Sequence, residues 1–181
     1  MSYALITGAS KGIGKAIAFN LAGKKINLLL VARNGELLNE IADELSGKYE
    51  VDVKWLNVDL VNEMAAEVIY EWVMKSNVQI NILINNAGYG LSGKFEKYTA
   101  EAHAGMMNVN MVSLVKLTAL FLPVLKKQQQ AYILNIASTA AYQAVPYLST
   151  YAASKSFVVS FSRALQFELS KTNVSVTCVS P

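Results

Sequence analysis

Tyr151-Ala152-Ala153-Ser154-Lys155 sets a phenol and an ammonium four residues apart, one above the other on a helix. A cation one turn away favours the phenolate, which suits Tyr151 to pass a proton near neutral pH. Ser138, thirteen residues earlier and near the end of an apolar run, offers a hydroxyl to a substrate carbonyl. A bare Tyr-x-x-x-Lys also describes ordinary helix surface, and Tyr142 and Tyr147 compete for the same assignment.

A second chemistry is written in Thr7-Gly8-Ala9-Ser10-Lys11-Gly12-Ile13-Gly14. Glycines let a backbone turn sharply and approach a phosphate, and the N–H groups opening a helix then hold the negative charge. A glycine-rich turn alone is weak. Its place between the first apolar run and the first helix-period segment favours a dinucleotide. The spacing is Gly-x-x-x-Gly-x-Gly, without the Gly-Lys-Ser/Thr of a nucleoside-triphosphate loop. Where NAD-binding chains of this type place a carboxylate on the ribose, about 20 residues beyond the glycines, this one reads Leu30-Val31-Ala32-Arg33-Asn34. Arg33 and Lys11 together favour a 2′-phosphate, hence NADP(H); the plainer alternative is a surface arginine at a strand end.

The elements that must position these groups alternate regularly. Apolar runs at Ala4–Thr7, Ile26–Ala32, Val51–Val58, Ile80–Asn85, Ala131–Ser138 and Val174–Val179 read as strands, several apolar almost throughout, as in sheets covered on both faces. Helical periodicity fills Gly14–Ala22, Glu36–Leu45, Asn62–Lys75, Ala102–Lys127 and Thr150–Lys171. Such βα repetition predicts an α/β fold: a doubly wound, Rossmann-like parallel sheet of about six strands in a single domain over residues 1–181. Loops Gly88–Lys94 and Ala140–Leu148 follow strands, at the edge where such sheets bind ligands.

Composition narrows the classes. The 181 residues are 53% hydrophobic and 16% charged, with a net charge of +3. That excludes a disordered chain. The one cysteine, Cys178, cannot form an internal disulfide and fits a reducing, cytoplasmic setting. No run of five or six basic residues points to nucleic acid. The apolar stretch from Val109 to Leu125 is broken by Asn110, Ser113, Lys116 and Thr118, and reads as a buried helix rather than a membrane span. His103, the only histidine, reads as a surface residue near a helix start, and no cluster has metal-ligand spacing. Met106, Met107 and Met111 read as helix packing, Trp55 and Trp72 as core or half-buried, and Cys178 as a small buried hydrophobe.

Taken together, the glycine loop, Asn85-Asn86-Ala87-Gly88 after the fourth run, and Ser138 thirteen residues before Tyr151-x-x-x-Lys155 resemble the short-chain dehydrogenase/reductase family over the whole chain. The resemblance implies an oxidoreductase that reversibly reduces a carbonyl to an alcohol with NADP(H). It implies catalytic roles for Asn110, Ser138, Tyr151 and Lys155, with Asn110 holding a water that relays protons to the lysine. Cofactor contacts would fall on Gly8, Ser10, Lys11, Gly12, Ile13, Gly14, Arg33, Asp59, Asn86, Ala87, Gly88, Tyr151, Lys155 and Pro181. Asp59 would meet the adenine amine, or cap the next helix, or both. Family members pair through their two long helices, which implies a homodimer or homotetramer through 102–127 and 150–171. Chains of this family run on past Pro181 into a substrate lid and a further strand. The expectation is therefore a shortened chain that binds NADP(H) weakly and turns over poorly. The alternatives are a non-catalytic NADP(H)-binding or redox-sensing protein of the same fold, and sugar-nucleotide epimerase chemistry, which also employs Tyr-x-x-x-Lys. Residues around the mouth (Tyr89, Leu91, Tyr142, Val145 and Tyr147) are apolar, which leaves the substrate open among ketones, steroids and acyl chains.

Overall fold

A computed structural model describes residues 2–181. Six strands alternate with helices: β1 (Ser2–Thr7), α1 (Gly12–Gly23), β2 (Asn27–Ala32), α2 (Gly35–Tyr49), β3 (Val53–Asn57), α3 (Ala65–Lys75) and β4 (Gln79–Asn85) in the first half. The second half holds α4 (Ala100–Met107), α5 (Ser113–Leu125), β5 (Ala131–Ile136), α6 (Ser149–Glu168) and β6 (Val174–Val179). All pairings are parallel, in the order β3-β2-β1-β4-β5-β6. The winding reverses between β1 and β4, and a cleft opens there at the carboxyl ends of the strands.

Burial explains the arrangement. All six residues of β2 are buried, because helices cover it on both faces. On one face Leu5, Leu29, Leu83 and Ile133 pack against Ile69, Leu117, Phe121 and Leu165 of α3, α5 and α6. On the other, Ile6, Leu28 and Leu30 pack against Ala18, Leu38 and Ile41 of α1 and α2. Those two helices do not reach the far strands: Tyr132 on β5 and Ser175 and Thr177 on β6 are exposed, and β6 is an edge.

The long apolar helix expected at 102–127 is interrupted. Between α4 and α5 the chain makes one wide π-helical turn, Asn108–Val112, with Val109 and Asn110 buried. The run Ala100–Leu125 is long and apolar enough to cross a membrane by length and composition; 44% of its most apolar stretch is buried, largely against the sheet and α3.

Candidate active site

A cleft of about 1240 Å³ runs along the carboxyl edge of the sheet. It is lined by Gly8, Ser10, Lys11, Gly12, Ile13, Arg33, Asp59, Asn86, Ala87, Gly88, Ser138, Tyr151, Lys155 and Pro181, so the strand ends gather nearly every residue singled out by type and spacing. Gly14 and Asn110 do not line it; both are buried beneath its wall. Residues not anticipated also face it, among them Asn34, Gly35, Asn57, Leu60 and Val109.

At one end the first βα turn forms a cradle. Gly8 and Gly12 have φ of +67° and +57°, conformations that disfavour any side chain. A Cβ on Gly14 would lie 2.3 Å from the Gly8 carbonyl oxygen, so only glycine lets α1 start this close to the turn. The first turn of α1 carries no acidic residue, and the residue before it makes no side-chain cap. Its N–H groups are thus left for an anion, which is what a dinucleotide pyrophosphate needs. The turn is pinned from behind: Asn86 Nδ2 donates to the carbonyls of Thr7 (2.9 Å) and Gly8 (3.1 Å). The Thr7 hydroxyl accepts from Asn86 N and Ala87 N at 3.1 Å each and donates to Ile84 O. Thr7 was missed as a site residue, although a threonine closing the first strand was a legible signal.

Lys11 and Arg33 stand exposed on the rim of this end. Arg33 is set there because β2 stops one residue earlier and Asn34 immediately caps α2, its side chain accepting from Leu37 N. Glu36 and Asp59 also line the cleft, so the rim is not uniformly basic. Partial burial pushes the Tyr89 phenol above its usual range, with Arg33 pulling it down and Asp59 pushing it up. Those three side chains therefore share one field.

At the other end, Ser138 lies two residues beyond β5, not within it, and caps a short 3₁₀ turn (Thr139–Tyr142) by accepting from Ala140 N. Tyr151 and Lys155 follow one another along α6 as spaced, with Lys155 Nζ 5.8 Å from the centre of the Tyr151 ring. Lys155 is only 4% exposed, and its ammonium donates to Ile136 O at 2.8 Å. Burial pulls its pKa from 10.5 down to about 8, opposed more weakly by the nearby Cys178 side chain. Glycines make room: a Cβ on Gly88 would sit 3.2 Å from Lys155 Nζ, and one on Gly90 would sit 3.2 Å from the Tyr151 ring. Tyr142 and Tyr147, the competing phenols, are exposed and do not line the cleft.

Asn110 is committed to the protein. Its Nδ2 donates to Tyr89 O and to Ser154 Oγ, both at 3.0 Å, and Oδ1 accepts from Tyr89 N at 3.1 Å. Ser154 Oγ donates in turn to Tyr151 O. One Oδ1 lone pair of Asn110 is left over, enough for a single water. The packing and relay readings of this residue are therefore compatible.

Three further expectations need correction. Asp59 does not cap the next helix: its carboxylate closes a local turn onto Val61 N, and α3 starts only at Ala65. His103 is buried rather than at the surface, because the turn after the Gly88–Lys94 loop folds over it. Cys178 is half-buried, since β6 is an edge strand. The three methionines on the long helix do serve as packing: Met106 is fully buried, and Met107 and Met111 are half-buried at the flanks of the packed face. Trp55 and Trp72 are half-buried. Among the described residues no three His, Cys, Asp or Glu side chains cluster to hold a metal.

Comparison with known proteins bears on this geometry. The family profile described as short chain dehydrogenase matches residues 2–181. An NADP-dependent 3-hydroxy acid dehydrogenase of Schizosaccharomyces pombe is 35% identical, over 98% of this chain and 69% of its own length. A short-chain dehydrogenase from Sphingobium yanoikuyae, solved with NADPH, superposes with a TM-score of 0.93 at 34% identity, over 100% of this chain and 70% of that one. A Burkholderia phymatum homologue solved with NAD gives 0.92 at 27% identity, over 99% and 65%. The chain spans 76% of the length of an oxidoreductase of Staphylococcus epidermidis and 59% of a very-long-chain 3-oxoacyl-CoA reductase of Anas platyrhynchos. With that profile matching residues 2–181, the chain belongs to the short chain dehydrogenase family.

Proposed function

We propose that the protein reversibly reduces a carbonyl to an alcohol with NADP(H). One observation carries the reading: a single cleft has Lys11 and Arg33 at one end and Ser138, Tyr151 and Lys155 at the other. Arg33 and Lys11 would take the 2′-phosphate, the guanidinium by paired hydrogen bonds. The open N-terminus of α1 would hold the pyrophosphate. A bound nicotinamide supplies the hydride. Ser138 would polarise the carbonyl oxygen and Tyr151 would hand it a proton. Lys155, charged below about pH 8, stabilises the phenolate left behind, and a water on Asn110 Oδ1 returns the proton. The S. pombe relative is named for NADP dependence and the S. yanoikuyae relative was solved with NADPH, which supports this choice of cofactor. We also propose a dimer through the outer faces of 102–127 and 150–171, where Val112, Phe157 and Phe167 are exposed.

The test is NADPH consumption with a panel of ketones, comparing wild type with Tyr151→Phe. Turnover should fall by roughly 10²–10⁴ in the variant while NADPH affinity holds. Equal turnover in the two proteins removes the mechanism. Solution mass tests the dimer: a monomer across the micromolar range counts against it.

A further inference from the structure

The loop that packs on the Tyr151 ring through Gly90 is tied to the start of α6 at two further points. Gly93 N donates to Tyr147 O at 2.9 Å. The other tie runs through His103, a residue with no part in the proposed chemistry. His103 is 8% exposed, on the second turn of α4. The Phe95 ring stacks on its imidazole at 4.4 Å and 17°, and Tyr98 meets it edge-on at 6.1 Å. Nε2 lies 3.2 Å from Phe95 O, an atom that only accepts, so Nε2 carries the proton. Nδ1, at the other side of the ring, lies 3.1 Å from the Thr150 hydroxyl, which can either donate to it or accept from it. Thr150 is the residue before Tyr151.

We infer that His103 is a positioning residue, joining the Phe95 turn to Thr150 and so fixing the first turn of α6, with Tyr151 on it, against the loop that packs on the phenol. Burial and two engaged ring nitrogens leave the imidazole little freedom, and few other side chains could reach a carbonyl and a hydroxyl from opposite ends of one rigid ring. Met, Leu or Phe would fill the volume without either bond. The role rests on Tyr151 being the proton donor proposed above.

The test uses the whole chain as wild type, Thr150→Val, Thr150→Ser and His103→Phe. Three quantities are measured: ketone-dependent NADPH oxidation, NADPH affinity, and amide hydrogen exchange across 93–99 and 149–155. Thr150→Val should lower kcat about three- to tenfold, the worth of one buried hydrogen bond, with NADPH affinity kept within about twofold. Thr150→Ser, which keeps the hydroxyl, should restore kcat. Exchange should quicken in both segments together in Thr150→Val and His103→Phe, and not in Thr150→Ser. Wild-type kcat and exchange in Thr150→Val overturn the proposal, whatever His103→Phe does to folding. If wild type reduces no ketone, the proposed activity falls, and the exchange pattern alone then decides whether His103 ties the two segments.

Discussion

Lys155→Met should change how stability depends on pH, by an amount the site itself sets. Burial lowers the Lys155 pKa from 10.5 to about 8. At about 1.36 kcal/mol per unit, the folded state bears a cost of roughly 3 kcal/mol whenever the ammonium is charged. Between those two values the unfolded chain binds a proton that the folded chain does not, so stability rises with pH across that window. Below pH 8 the cost is borne in full; above 10.5 it has vanished. Methionine keeps the length of the side chain without the charge. Wild type should therefore gain about 2–3 kcal/mol on Lys155→Met between pH 8 and 10, a relative rise in Tm of roughly 2–4 °C per kcal/mol for a chain this size. The Lys155 bond to Ile136 O is lost in the variant, which costs about 1–3 kcal/mol but shifts the curve bodily and leaves its slope alone. Urea unfolding of both proteins at pH 7, 8, 9 and 10 measures the difference. Parallel curves would show that Lys155 is not buried as a strained cation, and the account of its pKa would be wrong.

Other perturbations probe other parts. Arg33→Asp should abolish the thermal stabilisation that NADPH gives and leave or improve that of NADH; wild type stabilised equally by both cofactors would refute the 2′-phosphate assignment. Gly14→Ala puts a carbon where only 2.3 Å is available, and should cost about 1–3 kcal/mol and most NADPH affinity, read by urea unfolding and fluorescence titration. Tyr3→Phe removes the phenol that donates to Asp52, a bond worth about 1 kcal/mol with one partner exposed. Burial first, and then the hydrogen bond to Asp52 and its charge, push the Tyr3 phenol up from 10.0 to about 12, so the wild-type advantage is whole below pH 10 and is lost as pH climbs towards 12, in the same unfolding assay.

The sequence carried most of the fold because its signals are local and repeated. The apolar β2 run, the glycine turn opening α1 and the amphipathic Glu36–Leu45 each specify one element without help from distant chain. Tyr151 and Lys155 were legible for the same reason: four residues on one helix face. What could not be read depends on who sits opposite. The burial of His103 comes from a turn eight residues away folding over it. The closing role of Thr7 needs Asn86 and Ala87, some 80 residues distant, to arrive beside it. The Asp59 side chain turned to Val61 rather than to a helix because three more non-helical residues follow, where a nearer start had been read from the periodicity.

The wide turn at Asn108–Val112 acts as a phase adjuster in the long helical rod. An α-helix advances about 100° per residue, and a π turn holds one residue more than an α turn. Upstream of it Met106 and His103 face inward; downstream Leu117, Phe121 and Leu125 do, and Asn110 reaches the Tyr89 backbone from the bulge itself. Deleting one residue here would restore ordinary pitch yet could not keep both halves and Asn110 in register at once.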